Sequence, residues 1–513
     1  MIGAYFVEQI RAAETAAMAR LADGALMQRA AMGLAVACAG LLDSVRGQVV
    51  GSRVVALVGS GNNGGDALWA GAMLRARGCR VDVIQLSSGI HAEGASALLR
   101  AGGRIHDMSS DVSYAKSLLE GADLVLDGIV GIGGHGGLRE PAASLVSGLE
   151  SCDAIIVAVD LPSGVDADSG VVSGSVVVDA DVTVTFGCLK PGLVLAPGAQ
   201  YSGSVVLVDI GLEEHLAEVG PPAAVILEGV DVAMVVPEPH GDAYKYSRAV
   251  VGISAGSREY PGAALLATAA ARHANVGMVR YLDRSDGNAA RVVDHFPDTV
   301  VDGAAPSHQA RAKAWACGPG FVGHESDLPT VRAVLAADVP VVLDAGALQV
   351  IADSDVVRED IRQRHDRGLA TVITPHEGEF RRIAPGVLET SDGRLSAALT
   401  AARDLGAIVV LKGPGTVIAA PTGEVYIDTE GTADLGTAGS GDVLTGIAGA
   451  LLAGEDEPGD ETACLRAAAA VWLHGRAGRL AATKGPVTAT DIAGQVSAAF
   501  NVARFGDSQV SDA

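Results

Sequence analysis

Apolar residues follow two rhythms along this chain, and the alternation between them lays out most of its architecture. Over residues 5–43 they recur at helical spacing, through Glu8-Gln9-Ile10-Arg11-Ala12-Ala13-Glu14, then Leu26 to Ala30, then an alanine-rich run to Leu42. Residues 54–58, Val-Val-Ala-Leu-Val, form a short unbroken apolar run, the pattern of a strand buried on both faces. A glycine-rich turn from Gly59 to Asp66 follows, and helical spacing resumes from Ala67 to about Arg77. More strands of this type are predicted at 81–86, 124–127 and 155–160, with helical patterns between them. Alternating strands and helices predict a doubly wound parallel sheet that holds its ligands at the carboxyl ends of the strands.

The pattern breaks over residues 211–248, where Gly220-Pro221-Pro222 and Pro237-Glu238-Pro239-His240-Gly241 read as a linker. It then restarts. Strands are predicted at 249–254, 314–317, 341–344, 371–374 and 408–412, with a long alanine-rich helix from about Ala263 to Ala274. Last comes Gly431 to Gly446, a glycine-rich loop running into a helix whose Val443, Leu444, Ile447, Ala448, Leu451 and Leu452 share one face. The chain is therefore two α/β domains, at residues 1–218 and 223–504.

Composition narrows the classes. At 513 residues the chain is long for one ordinary domain. Lys+Arg 37 against Asp+Glu 61 gives a net charge of −24, which disfavours nonspecific attraction to nucleic acid or an anionic membrane. The six cysteines, at 38, 79, 152, 188, 317 and 464, contain no C-x-x-C pair, arguing against a zinc site or a disulfide framework and fitting a reducing cytoplasm. No apolar stretch is read as reaching membrane-spanning length.

The candidate chemistry sits at the strand ends. In the first half, Gly59-Ser60-Gly61-Asn62-Asn63-Gly64-Gly65-Asp66 follows one strand and matches neither common nucleotide-loop fingerprint. Asp127 with the loop Gly131-Ile132-Gly133-Gly134-His135-Gly136-Gly137 follows another, and Asp160-Leu161-Pro162-Ser163-Gly164 a third. A single glycine loop is often a plain turn, and His135 alone reads as a solvated loop histidine. Three such loops at one sheet edge, each with an Asp, make a site. In the second half, Gly318-Pro319-Gly320, Asp344, Pro375 to Glu379, Lys412 to Thr416 and Gly439-Ser440-Gly441-Asp442 all stand at strand ends or helix starts. Backbone N–H groups of the last loop, aided by the helix dipole, suit phosphate oxygens or a developing anion.

Over residues 5–212 the first set resembles the NAD(P)H-hydrate epimerase domain, with a Rossmann-like doubly wound fold and a potassium ion. The resemblance implies that Asn63, Asp127 and Ser163 hold the ion. It places Asn62 to Asp66, Gly131 to Gly137 and Asp160 on the hydrated nucleotide, with Asp160 also catalytic. Ala30-Ala31 stands where Ala-Gly is usual, a change in helix packing outside the site.

Residues 223–504 resemble the ribokinase-like superfamily, and within it the ADP/ATP-dependent NAD(P)H-hydrate dehydratases. His376 occupies a position where the sugar and vitamin kinases usually carry Asn. By this resemblance Lys412, Gly413, Pro414, Gly415, Thr416 and Gly441 hold the adenine nucleotide. Ala263, Gly320, His376 and Asp442 line the hydrate site, with Asp442 as general base. Ser440 replaces the commoner Thr.

Together these imply a bifunctional repair enzyme for hydrated nicotinamide cofactors. Its substrates would be NADHX and NADPHX, with ADP or ATP as co-substrate alongside Mg2+. Neither nucleic acid nor membrane is expected as partner, and a homo-oligomer in the cytoplasm is. Two other classes fit part of the pattern. One is a small-molecule kinase with a regulatory N-terminal domain, disfavoured by His376 and the intact Asn62–Asp66 loop. The other is a non-catalytic scaffold, disfavoured by the acidic balance and the retained motifs.

Overall fold

A computed structural model describes residues 1–107, 112–134, 136–236, 248–303, 305–306, 311–454 and 459–507. His135 and the proline-rich segment at 237–247 lie outside the described residues. The chain forms two compact units, one of Gly3–Ala223 and one of Met1–Ile2 with Ala224–Ala513.

The first unit is built on seven parallel strands. In chain order they are β1 (Arg53–Val58), β2 (Arg80–Gln85), β3 (Arg104–Asp107), β4 (Leu124–Gly128), β5 (Ile155–Val159), β6 (Val182–Phe186) and β7 (Ser204–Val208). Their spatial order is β3-β2-β1-β4-β5-β6-β7. The order reverses between β1 and β4, so a crevice opens there beyond the carboxyl ends. The loops after Val58 and Gly128 flank it. Apolar residues of β1, β4 and β5 are buried on both faces, which is why those runs lack polar alternation.

Three features differ from the sequence reading. The helix expected from Ala67 begins at Asn62 and runs to Ala76. Asn and Gly are poor helix formers, so propensity delays the predicted start; in the first turn, however, backbone N–H groups need no intrahelical partner. Strands β3, β6 and β7 also escaped prediction. Thr183 and Thr185 break up the apolar run of β6, yet both are wholly buried, and Thr183 Oγ1 donates to Ser202 O at 2.7 Å. Finally, helix Ala25–Arg46 has 22 residues and contains an 18-residue window of mean hydropathy 1.5, long and apolar enough to cross a membrane on those criteria alone, correcting the sequence reading. Leu34, Ala35, Cys38 and Leu42 on this helix are wholly buried in the unit's core.

The second unit holds a mixed sheet. Its strands are β8 (Ala224–Ile226), β9 (Val250–Ser254), β10 (Met278–Leu282), β11 (Val300–Asp302), β12 (Ala314–Cys317), β13 (Val341–Leu343), β14 (Thr371–Ile373), β15 (Ile408–Leu411), β16 (Thr416–Ala419) and β17 (Val425–Asp428). They lie in the order β8-β17-β16-β15-β14-β13-β12-β9-β10-β11. Strands β11 through β15 are mutually parallel, while β15, β16 and β17 form an antiparallel meander. Helix Ser440–Ala453 is almost entirely buried in this unit's core. Two glycines set its depth: a Cβ on Gly446 would lie 2.2 Å from Ala267 O, and one on Gly449 would lie 2.8 Å from Ala316 Cβ. Helix Gly262–His273 and β12 thus approach it more closely than side chains allow.

Candidate active sites

In the first unit the fold brings Asn63, in the first turn of helix Asn62–Ala76, Asp127, at the end of β4, and Ser163, in the loop after β5, to one region. Ser163 N donates to Asp127 Oδ2 at 2.8 Å, while Ser163 Oγ and Ile129 N donate to Oδ1 at 2.6 and 3.2 Å. Burial pushes the Asp127 carboxyl up to about 6, against the pull of those bonds. Asn63 is buried near them, and among the described residues neither its Oδ1 nor its Nδ2 has a hydrogen-bond partner. A Cβ on Gly131 would come within 3.0 Å of that Oδ1, so the glycine loop closes directly over the amide. Buried amides are rarely left unpaired. An orphaned amide oxygen beside a buried carboxylate and a hydroxyl fits a hard monovalent cation. Among the described residues no cluster of three or more His, Cys, Asp or Glu suits a transition metal.

Asp160 follows β5 with φ of 65°, a left-handed conformation costly for a residue with a side chain. Lys190 donates to its Oδ1 at 2.6 Å and Thr185 Oγ1 donates at 3.1 Å. Burial raises the Asp66 carboxyl well above its usual range, reinforced by Asp160 and Glu14 and opposed by Lys190. The same burial raises Glu14, on helix Val7–Met18, again with Asp160 adding to the effect. Gly134, Gly136 and Gly137 border a cavity of about 390 Å³ together with Ser60, Arg139 and Asp166. Asn62 is exposed at the helix start, while Gly64 and Gly65 are buried. Ile132 packs against the core and Gly133 is exposed.

In the second unit, Ala263, Gly320 and Asp442 line one cavity of about 770 Å³. Gly320 has φ of 69°, and a Cβ there would meet Ala263 Cβ at 2.7 Å, so the two small residues make one wall. Asp442 occupies the first turn of helix Ser440–Ala453. Burial, and after it the charge of Asp344, push its carboxyl up to about 7, with Lys412 pulling the other way. Lys412 Nζ donates to Asp344 Oδ1 at 2.9 Å, and Thr445 Oγ1 donates to Asp344 Oδ2 at 2.8 Å. Burial would lower Lys412, yet Asp344 and Glu379 raise it overall. A Cβ on Gly441 would lie 3.4 Å from both Lys412 Nζ and Asp344 Oδ2, which puts the helix start against this pair.

Beyond Lys412 the chain turns outward. Gly413 and Pro414 are exposed, Gly415 and Thr416 are partly so, and Thr416 Oγ1 donates to Gly413 O at 2.9 Å. His376 is placed differently from the other expected hydrate-site residues. It is exposed, lies outside the cavity wall, and its Nδ1 accepts from Gly378 N and Glu379 N at 3.0 and 3.3 Å, capping helix Glu377–Ile383. Glu379, three residues on, lines the cavity.

Sequence reasoning assigned no role to Lys190, Asp344, Glu379 or Thr445. Asp344 and Glu379 stood inside strand-end motifs and could have been found there. The only signal for Lys190 was a cation set within the apolar run from Cys188 to Leu195.

Two families match. The one described as NAD(P)H-hydrate dehydratase covers residues 251–497, and the one described as YjeF-related protein N-terminus covers residues 23–192. The Bifunctional NAD(P)H-hydrate repair enzyme Nnr of Mycobacterium tuberculosis is 42% identical over 455 residues, 88% of this chain and 89% of that protein. The Nnr of Mycobacterium leprae is 42% identical over 490 residues, 94% of this chain and 95% of its own length. A crystal structure of the ADP/ATP-dependent NAD(P)H-hydrate dehydratase from Bacillus subtilis, co-crystallised with ATP/Mg2+, is 27% identical with a TM-score of 0.46, covering 55% of this chain and 99% of that one. With both halves matched in one chain and relatives aligned over nearly its whole length, this protein belongs to the family of bifunctional NAD(P)H-hydrate repair enzymes.

Proposed function

We propose that the domain at residues 1–218 interconverts the R and S hydrates of NADH and NADPH. The domain at 223–504 dehydrates the S form with ADP or ATP, releasing AMP or ADP and phosphate. The observation that carries this reading is Asp442, a carboxyl pushed up to about 7 at a helix N-terminus, on the wall of a cavity large enough for a nucleotide-sized substrate. A base poised near neutral pH can take the hydroxyl proton of the hydrate. The freed oxygen attacks the terminal phosphorus of the nucleotide, whose bridging P–O bond breaks. N–H groups of Gly439 to Gly441 and the Lys412 ammonium stabilise the transferring charge, and the nucleotide binds along Lys412 to Thr416 with Mg2+. The phosphate then leaves carbon as the ring nitrogen lone pair moves in, and loss of a proton from the neighbouring carbon restores the dihydronicotinamide.

In the epimerase domain Asp160 exchanges protons with the hydrate while water is reversibly lost. Asn63, Asp127 and Ser163 would hold a potassium ion, which would supply a positive charge to the site when bound. The deciding experiment incubates the full chain with mixed hydrates, with and without ADP or ATP. Return of dihydronicotinamide absorbance with stoichiometric phosphate supports the reading. Phosphorylation of a sugar or vitamin in its place supports a kinase.

A further inference from the structure

We propose that Lys190 is a positioning residue of the epimerase site: it clamps one carboxylate oxygen of Asp160 so that the other, Oδ2, is the atom presented for proton exchange. This rests on the reading that Asp160 handles the proton. Every hydrogen bond to Asp160 among the described residues converges on Oδ1, from Lys190 Nζ at 2.6 Å, Thr185 Oγ1 at 3.1 Å and Phe186 N at 3.4 Å. Oδ2 accepts none, and the Asp160 side chain keeps 12% of its surface exposed. A carboxylate with one saturated oxygen and one open to solvent has a single direction in which to act.

Lys190 itself is built in. Its side chain is only 1% exposed, and its three protons go to Asp160 Oδ1, to Thr185 Oγ1 at 2.8 Å and to Phe186 O at 3.1 Å. Nothing remains with which it could touch a substrate, so it acts through Asp160. Burying a lysine is costly unless it is paired and fully bonded, and this one is both. The backbone points the same way: Asp160 is held at φ of 65°, with its N donating to Val184 O at 2.8 Å. Strain of this sort persists where surrounding structure over-determines it. Lys190 is the strongest such constraint on the side chain.

The test uses the full chain and follows loss of the R hydrate, with dehydration of pure S hydrate as an internal measure of folding in the other domain. Lys190→Met is expected to lower kcat for epimerisation by roughly 10²-fold with KM changed by less than about threefold. Lys190→Arg is expected to recover part of kcat. If Lys190→Met fails to fold, Thr185→Val, which removes a partner of both groups at nearly constant volume, is expected to lower kcat by about tenfold. A Lys190→Met protein with parental kcat, or one whose KM rises as much as its kcat falls, overturns the proposal, as does a parental Thr185→Val if Lys190→Met is unfolded. Asp160→Asn separates the two readings: full epimerisation by that variant overturns the role of Asp160 itself, whatever Lys190 does.

Discussion

Lys412 Nζ lies 2.9 Å from Asp344 Oδ1, an ion pair formed between the ends of two strands that are 68 residues apart in sequence. Asp344 is 2% exposed, and Thr445 Oγ1 holds its other oxygen. The pair therefore ties β13 and β15 to the helix that carries Asp442. Lys412→Met leaves Asp344 buried near Glu379 without its ion-pair partner. The expected loss is about 2–3 kcal/mol, at the low end for a buried pair because Lys412 retains some solvent contact. Denaturant unfolding measures it, and Lys412→Met with Asp344→Leu is expected to recover part of the loss.

Asp442→Asn keeps the size of the side chain and removes the base. Dehydration of the S hydrate is expected to fall by roughly 10²-fold or more while nucleotide affinity stays nearly unchanged. Single-turnover kinetics beside nucleotide titration separate the two effects. Dehydration at the parental rate would reduce Asp442 to a helix cap.

The same substitution has a pH signature. Asp442 is raised from 3.8 when unfolded to about 7 when folded, so the folded chain retains a proton that the unfolded chain has released. Stability from this group is fully present below 3.8 and is lost as pH rises to about 7. Asp442→Asn is therefore expected to match the parent in Tm near pH 4, to exceed it increasingly up to pH 7, and to hold that advantage above. A gap that is constant from pH 4 to 8 would contradict the shift.

Gly446→Ala places a methyl where only 2.2 Å separates the Cβ position from Ala267 O. Helix Gly262–His273 must move away, and Ala263 on the cavity wall moves with it. The expected cost is about 1–3 kcal/mol of stability, with KM for the hydrate rising more than kcat falls. Thermal unfolding and steady-state kinetics on one preparation check both.

Asp127→Ala removes the one formal charge among the three residues assigned to potassium. Epimerisation is expected to weaken and to lose its dependence on potassium, while dehydration of pure S hydrate continues. Equal activity of the parent in potassium and in a large organic cation would remove the ion from the account.

The buried parallel strands β1, β4, β5, β9, β12, β13, β14 and β15 were legible in the sequence because a strand covered on both faces must be apolar throughout. The glycine loops at their ends were legible too, since close backbone approach leaves few alternatives to glycine. Strand β6 was not, because Thr183 and Thr185 look solvated until tertiary partners at Ser202 and Asp160 satisfy their hydroxyls. His376 read as a site residue, but its ring caps the helix that carries Glu379. Which way a strand-end side chain turns depends on partners distant in sequence. The lysine 30 residues after Asp160 and the aspartate 68 residues before Lys412 became partners only when parallel strands brought their ends side by side. Periodicity and propensity are local and specified the elements; Coulomb and hydrogen-bond energies fall off with distance in space, so only the folded sheet could decide which charges meet.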